Sequence, residues 1–247
     1  MKKIVPNVYN IPAGEPFLRR LAETLCDPVR RSTLFGGHPL EDITIFLPTR
    51  RAARWLANDM AHLMRHNYQR SAVLLPALRA IGDVDEDGAE GGHFDAALDT
   101  HIAPEIGAYE RIFFLSSKIA IWMEKRGRFM SASQSAALAS DLVRFFDQAQ
   151  GDDVQWEKLR DIVPDEFAEN WQETIDFLNL IIQDWPDYLK DKGRLDPVAR
   201  RNLLMDRLGA YWQKTPPSGP VIAAGSTGTM PATARLLSVI AHLPNGA

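Results

Sequence analysis

In residues 42–48, DITIFLP, β-branched, aromatic and other strand-forming side chains run continuously from Ile43 to Leu47. A strand with one wet face alternates apolar and polar side chains. A run without alternation needs cover on both faces, the condition of a strand inside a parallel sheet. A helix follows at once. Thr49 is placed to cap it, and RRAARWLANDMAHLMRH sets Ala52, Leu56, Met60 and Leu63 on one face. A buried strand passing directly into an amphipathic helix is the repeating unit of an α/β fold with helices on the sheet faces.

The same design brackets the chain. VYNI (8–11) is a short strand candidate, followed by EPFLRRLAETL with Phe17, Leu18, Leu21 and Leu25 at helical spacing. AVLLPAL (72–78), interrupted by Pro76, is a third strand candidate. The Gly- and Asp-rich stretch 82–101 is a surface loop. From 103 the pattern is helical. One helix carries Leu138, Leu142, Phe145, Phe146 and Ala149 on a stripe, and another carries Trp171, Ile175, Leu178, Ile182 and Trp185. Gly193 marks a helix stop, and Asp196-Pro197 a cap and first turn. After the linker TPPSGP (215–220), VIAAGSTGTMPATARLLSVIAHLP repeats the plan of strand, Gly-containing loop and helix. The sequence stops at PNGA, where another strand is due. The expected organisation is the first part of an α/β domain in residues 1–102, an inserted helical subdomain in 103–214, and a return to the α/β domain in 215–247.

The overall charge of −4 is unevenly spread. Residues 1–70 hold 11 Lys and Arg against 6 Asp and Glu, and residues 197–247 hold 5 against 1. Residues 140–196 hold 6 against 15. If the basic ends meet in space, one face suits nucleic-acid phosphates; surface variation among helices explains the pattern equally well. The single cysteine, Cys26, forms no internal disulfide and holds no metal cluster alone. Pro6, Asn7 and Asn10 interrupt any signal-peptide core, and no stretch approaches the roughly 20 apolar residues of a membrane span. A cytoplasmic protein without membrane association is expected.

Three loops carry chemical possibilities. In the first, Gly14, Glu15, Pro16 and Phe17 stand where a phosphate-binding loop has Gly-Lys-Ser/Thr. Glu15 repels phosphate and Pro16 has no N–H to donate. A helix start, with Pro16 in the first turn and Glu15 at its positive end, explains the stretch better. In the second, Ala223-Ala224-Gly225-Ser226 ends a strand where a motor ATPase places Mg²⁺-binding carboxylates, and no Asp or Glu occurs from Gly219 to Ala247. Ala224 also breaks the Gly-x-Ser-x-Gly pattern that a nucleophilic Ser226 requires. In the third, LPTRRAAR (47–54), a hydroxyl and Arg50, Arg51 and Arg54 crowd a helix start at the carboxyl end of a buried strand. That is a phosphodiester grip or a solvated basic turn. His62 and His66 have metal-site spacing but no third ligand. Asp83, Asp85, Glu86 and Asp87 fit no calcium-loop pattern. The tryptophans at 156, 171, 185 and 212 have core spacing. No catalytic or metal-binding residues are expected.

These stretches carry a resemblance. VYNIPAGEPFLRRLA, ITIFLPTRRAARWL, LLPALRAIGDVDED, DLVRFFDQAQ, VPDEFAENWQETIDFLNLIIQDWP, GRLDPVARRN and GPVIAAGSTGTMPATARLLSVIAHLPNGA occur in order over nearly the whole chain. Together they resemble the N-terminal region of AddB-type subunits of the bacterial AddAB helicase–nuclease, which processes double-strand DNA breaks for recombination. The resemblance implies a RecA-like, superfamily 1 helicase-like parallel sheet with an inserted all-helical subdomain, the sheet being incomplete in a fragment of this length. It puts IPAGEPF in place of the phosphate loop, LPTRRAA in place of a motif contacting single-stranded DNA, and VIAAGSTG in place of the Mg²⁺-binding acidic motif. It therefore implies DNA contacts from Thr49, Arg50, Arg51 and Arg54, with a lesser share from Ser226 and Thr227, and a degenerate nucleotide loop at Gly14–Phe17. An AddA-like helicase–nuclease subunit and DNA, single-stranded or a duplex end, are the implied partners. The family's iron–sulfur cluster and Mg²⁺ belong to a nuclease part beyond this sequence, so no cofactor is expected here.

Two other functions fit the residues. The acidic helical part (140–196) would serve as a docking module for the AddA-like subunit, alone or alongside DNA binding. A nucleotide hydrolase with an unorthodox loop would have to work without the Lys and the carboxylates.

Overall fold

The computed structural model describes residues 6–69, 72–82, 102–154, 177 and 183–247. They fall into two compact units, Met1–Thr100 with Leu203–Ala247, and His101–Asn202.

The first unit is built on a parallel three-stranded sheet of order β2-β1-β3, with β1 Thr44–Leu47, β2 Ala77–Ala80 and β3 Val221–Ala223. Thr44 pairs with Ala77 on one side and Val221 on the other. The apolar run thus occupies the central strand, as its lack of alternation requires. Ile45 and Leu47 point to one face, where they meet Ala22, Leu25 and Cys26 of α1 (Phe17–Cys26) and Leu56, Met60 and Leu63 of α3 (Arg50–Asn67). The short helix α2 (Pro28–Phe35) is capped by Asp27, which accepts from Val29 and Arg30 N–H. Phe46 points the other way, into Met205, Leu208 and Trp212 of α7 (Pro197–Lys214) and Ala232, Leu236 and Ile240 of α8 (Pro231–Ala241). Its ring meets Trp212 edge-on at 6.0 Å. Full burial of an Ile or Leu stabilises by about 1.5–3 kcal/mol, so both faces of β1 contribute strongly to this unit. After α8 the chain returns to the free edge of β3. Val221 N–H donates to Asn245 O at 3.0 Å, Ala223 N–H to Ala247 O at 2.7 Å, and Ala247 N–H to Val221 O at 3.0 Å.

Two strand expectations are corrected. VYNI (8–11) is not a strand: Val8 and Tyr9 are exposed, and the segment is held by Asn7, whose N–H donates to Ala241 O and whose Nδ2 donates to Gly246 O. Residues 245–247 take the edge of β3, and Pro6 and Pro12, which have no N–H for a ladder, flank the segment. The third strand lies later than AVLLPAL. It begins after Pro76, where Ala77 supplies the first N–H, to Ile43 O at 2.9 Å.

The second unit packs α4 (Ala108–Glu124), α5 (Ala132–Gly151) and a helix, α6, described over 183–192, around Leu115, Ile119, Ala139, Leu142, Phe146, Trp185 and Leu189. A capping box starts α5. Gln134 N–H donates to the Ser131 hydroxyl, and Ser131 N–H donates to the Gln134 side chain. Gly193, at φ +60°, ends α6 as the sequence suggests. Phe145 leaves the expected stripe and is exposed, because it sits about 100° around the helix from buried Phe146. Asp196 precedes α7 and its carbonyl accepts from Arg200 N–H at 2.8 Å. Its carboxylate is buried beside Arg111, whose Nε stands 3.0 Å away, and accepts from Trp185 Nε1 at 2.7 Å and Gln150 Nε2 at 2.8 Å.

Candidate nucleic-acid interface

All three strands run in one direction, so their carboxyl ends share one edge of the sheet. Ala224 N–H donates to Phe46 O at 2.8 Å. The chain leaving β1 through Pro48 and Thr49 therefore emerges beside the chain leaving β3 through Gly225 and Ser226, at the ~4.8 Å spacing of neighbouring strands. The loops containing Thr49 and Ser226 are brought together by the sheet.

Thr49 is extended (φ −145°, ψ 155°), and its hydroxyl oxygen accepts from Ala52 N–H at 3.1 Å. That cap uses one acceptor site and leaves the hydroxyl proton to donate elsewhere. Arg50, Arg51 and Arg54 are all exposed on the first turns of α3. Arg51 and Arg54 make no ion pair or hydrogen bond among the described residues. Ser226 is half-buried and Thr227 exposed, on a loop turned by Gly225 (φ +74°) and Gly228 (φ +63°). Neither hydroxyl caps α8, whose N-cap is Met230.

The opening turn lies against this loop. Gly14 takes φ +96°, Glu15 pairs with Arg20 at 2.9 Å, and Arg20 N–H donates to Pro16 O. Pro16 is the N-cap rather than a residue of the first turn, and Phe17 begins α1. Phe17 packs its ring onto the backbone of Gly225: a Cβ there would stand 3.1 Å from Phe17 Cε1. The opening turn and the end of β3 thus meet through an apolar ring. Neither stretch contains a Lys, and the turn's carboxylate, Glu15, is taken by Arg20.

The remaining candidates lie elsewhere. The His62 and His66 rings lie 4.3 Å apart, tilted by 35°, near the far end of α3, and with Arg65, Ala72, Val73 and Leu75 they line a cavity of about 410 Å³. Among the described residues no group of three His, Cys, Asp or Glu side chains is placed to hold a metal. Asp83, Asp85, Glu86, Asp87, Trp156 and Trp171 lie outside the described residues. Trp185 and Trp212 are core, as their spacing implies. Cys26 is buried, its thiol facing Met60 O at 3.9 Å, and burial pushes its pKa up to about 11. No described helix is long and apolar enough to cross a membrane.

The sequence reading passed over one residue. Trp55 is 58% exposed on α3, one turn beyond Arg51. The signal was there: Trp55 falls outside the Ala52, Leu56, Met60 and Leu63 stripe. Comparison with protein-family models, curated proteins and solved structures finds no match to the chain.

Proposed function

We propose that this chain is a helicase-shaped module without a motor: a RecA-like N-terminal region of an AddB-type subunit that grips DNA and supports an AddA-like partner in double-strand break repair in the cytoplasm. The observation that carries this reading is the packing of Phe17 on Gly225. It fits a nucleotide site lost as a unit, with the sheet edge kept. Beside it, Thr49 and the α3 arginines keep the donors that fix a phosphodiester at a helix start. Ser226 and Thr227, on the adjoining loop, supply lesser contacts. This region uses no cofactor and performs no catalysis of its own.

The test is single-strand DNA binding as a function of salt. Each phosphate contact steepens the log–log salt slope by about 0.7 for single strands, so Arg51→Ala with Arg54→Ala should flatten it by about 1.4. Titration calorimetry with millimolar Mg-ATP should give no binding heat. An unchanged slope in the double variant removes the grip, and ATP binding removes the lost-motor reading.

A second reading concerns the helical unit. Tyr109, Phe113 and Ile121 are exposed on α4 and recur at i, i+4 and i+12, which sets them along one side of the helix. Exposed aromatic side chains in a row suit a protein interface. Docking of the AddA-like partner there predicts co-purification that survives loss of the α3 arginines and fails in Tyr109→Ala with Phe113→Ala.

A further inference from the structure

We propose that the exposed face of α3 is a track for single-stranded DNA, with the indole of Trp55 stacking on a base and the flanking cations holding phosphates. This rests on the DNA-grip reading and extends it from a turn to a helix face and from phosphate contacts alone to base stacking.

The face is defined by helical geometry. At 100° per residue, Arg51, Arg54, Trp55, Asn58, His62 and Arg65 fall within a sector of about 100°. It lies opposite Leu56, Met60 and Leu63, which are buried against the sheet. All six are exposed. Along the axis Arg51 lies about 6 Å before Trp55, and Arg65 about 15 Å beyond it. The sole acidic residue of α3, Asp59, is half-buried and off this sector. The exposed face therefore carries cations and one large aromatic ring, with no carboxylate to repel a phosphate. Trp55 has no ring or cation partner among the described residues, and neither Arg51, Arg54 nor Arg65 has an ion-pair partner among them.

This composition selects the occupant. An aromatic ring set between cations is how proteins hold unpaired strands: the bases stack on the ring while Lys and Arg follow the phosphates. In a duplex the base faces are already stacked inside the helix and give the indole no partner. A membrane-surface helix needs a broad apolar face, and here the exposed side offers only Trp55 and Ala61. A protein partner matched to this charge would be acidic and would not need unpaired bases.

The experiment compares a fluorescent dT oligonucleotide with a duplex of equal length, using the 247-residue chain. Trp55→Ala should weaken oligonucleotide binding about tenfold, leave its salt slope unchanged and leave duplex binding unaffected. Trp55→Tyr should recover most of the loss, and unchanged circular dichroism checks the fold. Equal weakening for single strand and duplex overturns the stacking role. So does no effect on either, or Trp55-dependent binding to anionic vesicles in place of DNA. If Arg51→Ala with Arg54→Ala flattens the slope while Trp55→Ala is silent, stacking fails and the grip stands. If the unaltered chain binds neither DNA, both fail.

Discussion

Phe17 and Gly225 lie at opposite ends of the chain, yet their contact defines the candidate site. The sequence made half of this legible. The opening loop has no Lys and the loop after β3 has no carboxylate, and residue types report a missing chemistry directly. It did not report the ring lying on the glycine, because that contact depends on β3 returning beside β1. Cys26 is a similar case: a lone cysteine names no environment until α1 is seen packed on α3. Its burial sets a pH dependence. The folded-state pKa is raised to about 11 from an ordinary value near 9. The neutral thiol is therefore the form the fold favours, and its contribution is complete below pH 9. Above that the unfolded chain loses the proton first, and the contribution fades as pH rises to about 11. Urea midpoints should fall over this window in the natural chain and fall less in Cys26→Ala. Iodoacetamide should modify Cys26 only as fast as the protein unfolds, since the thiolate is the reactive form.

Among the elements, α3 was legible almost whole. A cap residue, a four-residue apolar stripe and a basic first turn are local signals, and each appears where expected. β2 and the opening segment were less so, because prolines decide which residues join a ladder and apolar composition does not. In the helical unit, Arg111 was invisible as a core residue, since nothing local distinguishes an arginine that will be buried. It ties α4 to α5 through Asp147 at 2.6 Å and lies 3.0 Å from the buried Asp196 that begins α7. The second approach is a charge contact rather than a well-aimed hydrogen bond. Removing one partner of a buried pair costs about 3–5 kcal/mol, because the other charge stays desolvated. Trp185 and Gln150 still donate to Asp196 and soften that loss. Arg111→Met should therefore destabilise the helical unit by about 3 kcal/mol, read as a lower urea midpoint. Removing both charges in Arg111→Met with Asp196→Asn should cost less than Arg111→Met alone. If the double variant is the weaker one, the pair is not what holds these helices.

For the whole molecule, the chain divides into two compact units, and the sequence does not tell to which of them α7 contributes. Its residues from Leu203 onward belong to the α/β unit, and Met205, Leu208 and Trp212 fill the face of the sheet under Phe46. A helix with two environments shows one continuous period, so the pattern could not mark the change. The edge of the sheet has a comparable history. The pattern puts a strand after PNGA, whereas residues 245–247 themselves lie along β3 with three backbone hydrogen bonds. At about 0.5–1.5 kcal/mol each, those bonds are worth about 1.5–4.5 kcal/mol. Deleting 245–247 would remove them and bare the N–H groups of Val221 and Ala223 on an edge strand, which invites pairing with another chain. The shortened protein should unfold at a urea midpoint lower by that energy divided by the denaturant slope, and its scattering at rest should rise with concentration. A shortened chain with an unchanged midpoint and no added scattering would mean that β3 is held by β1 alone.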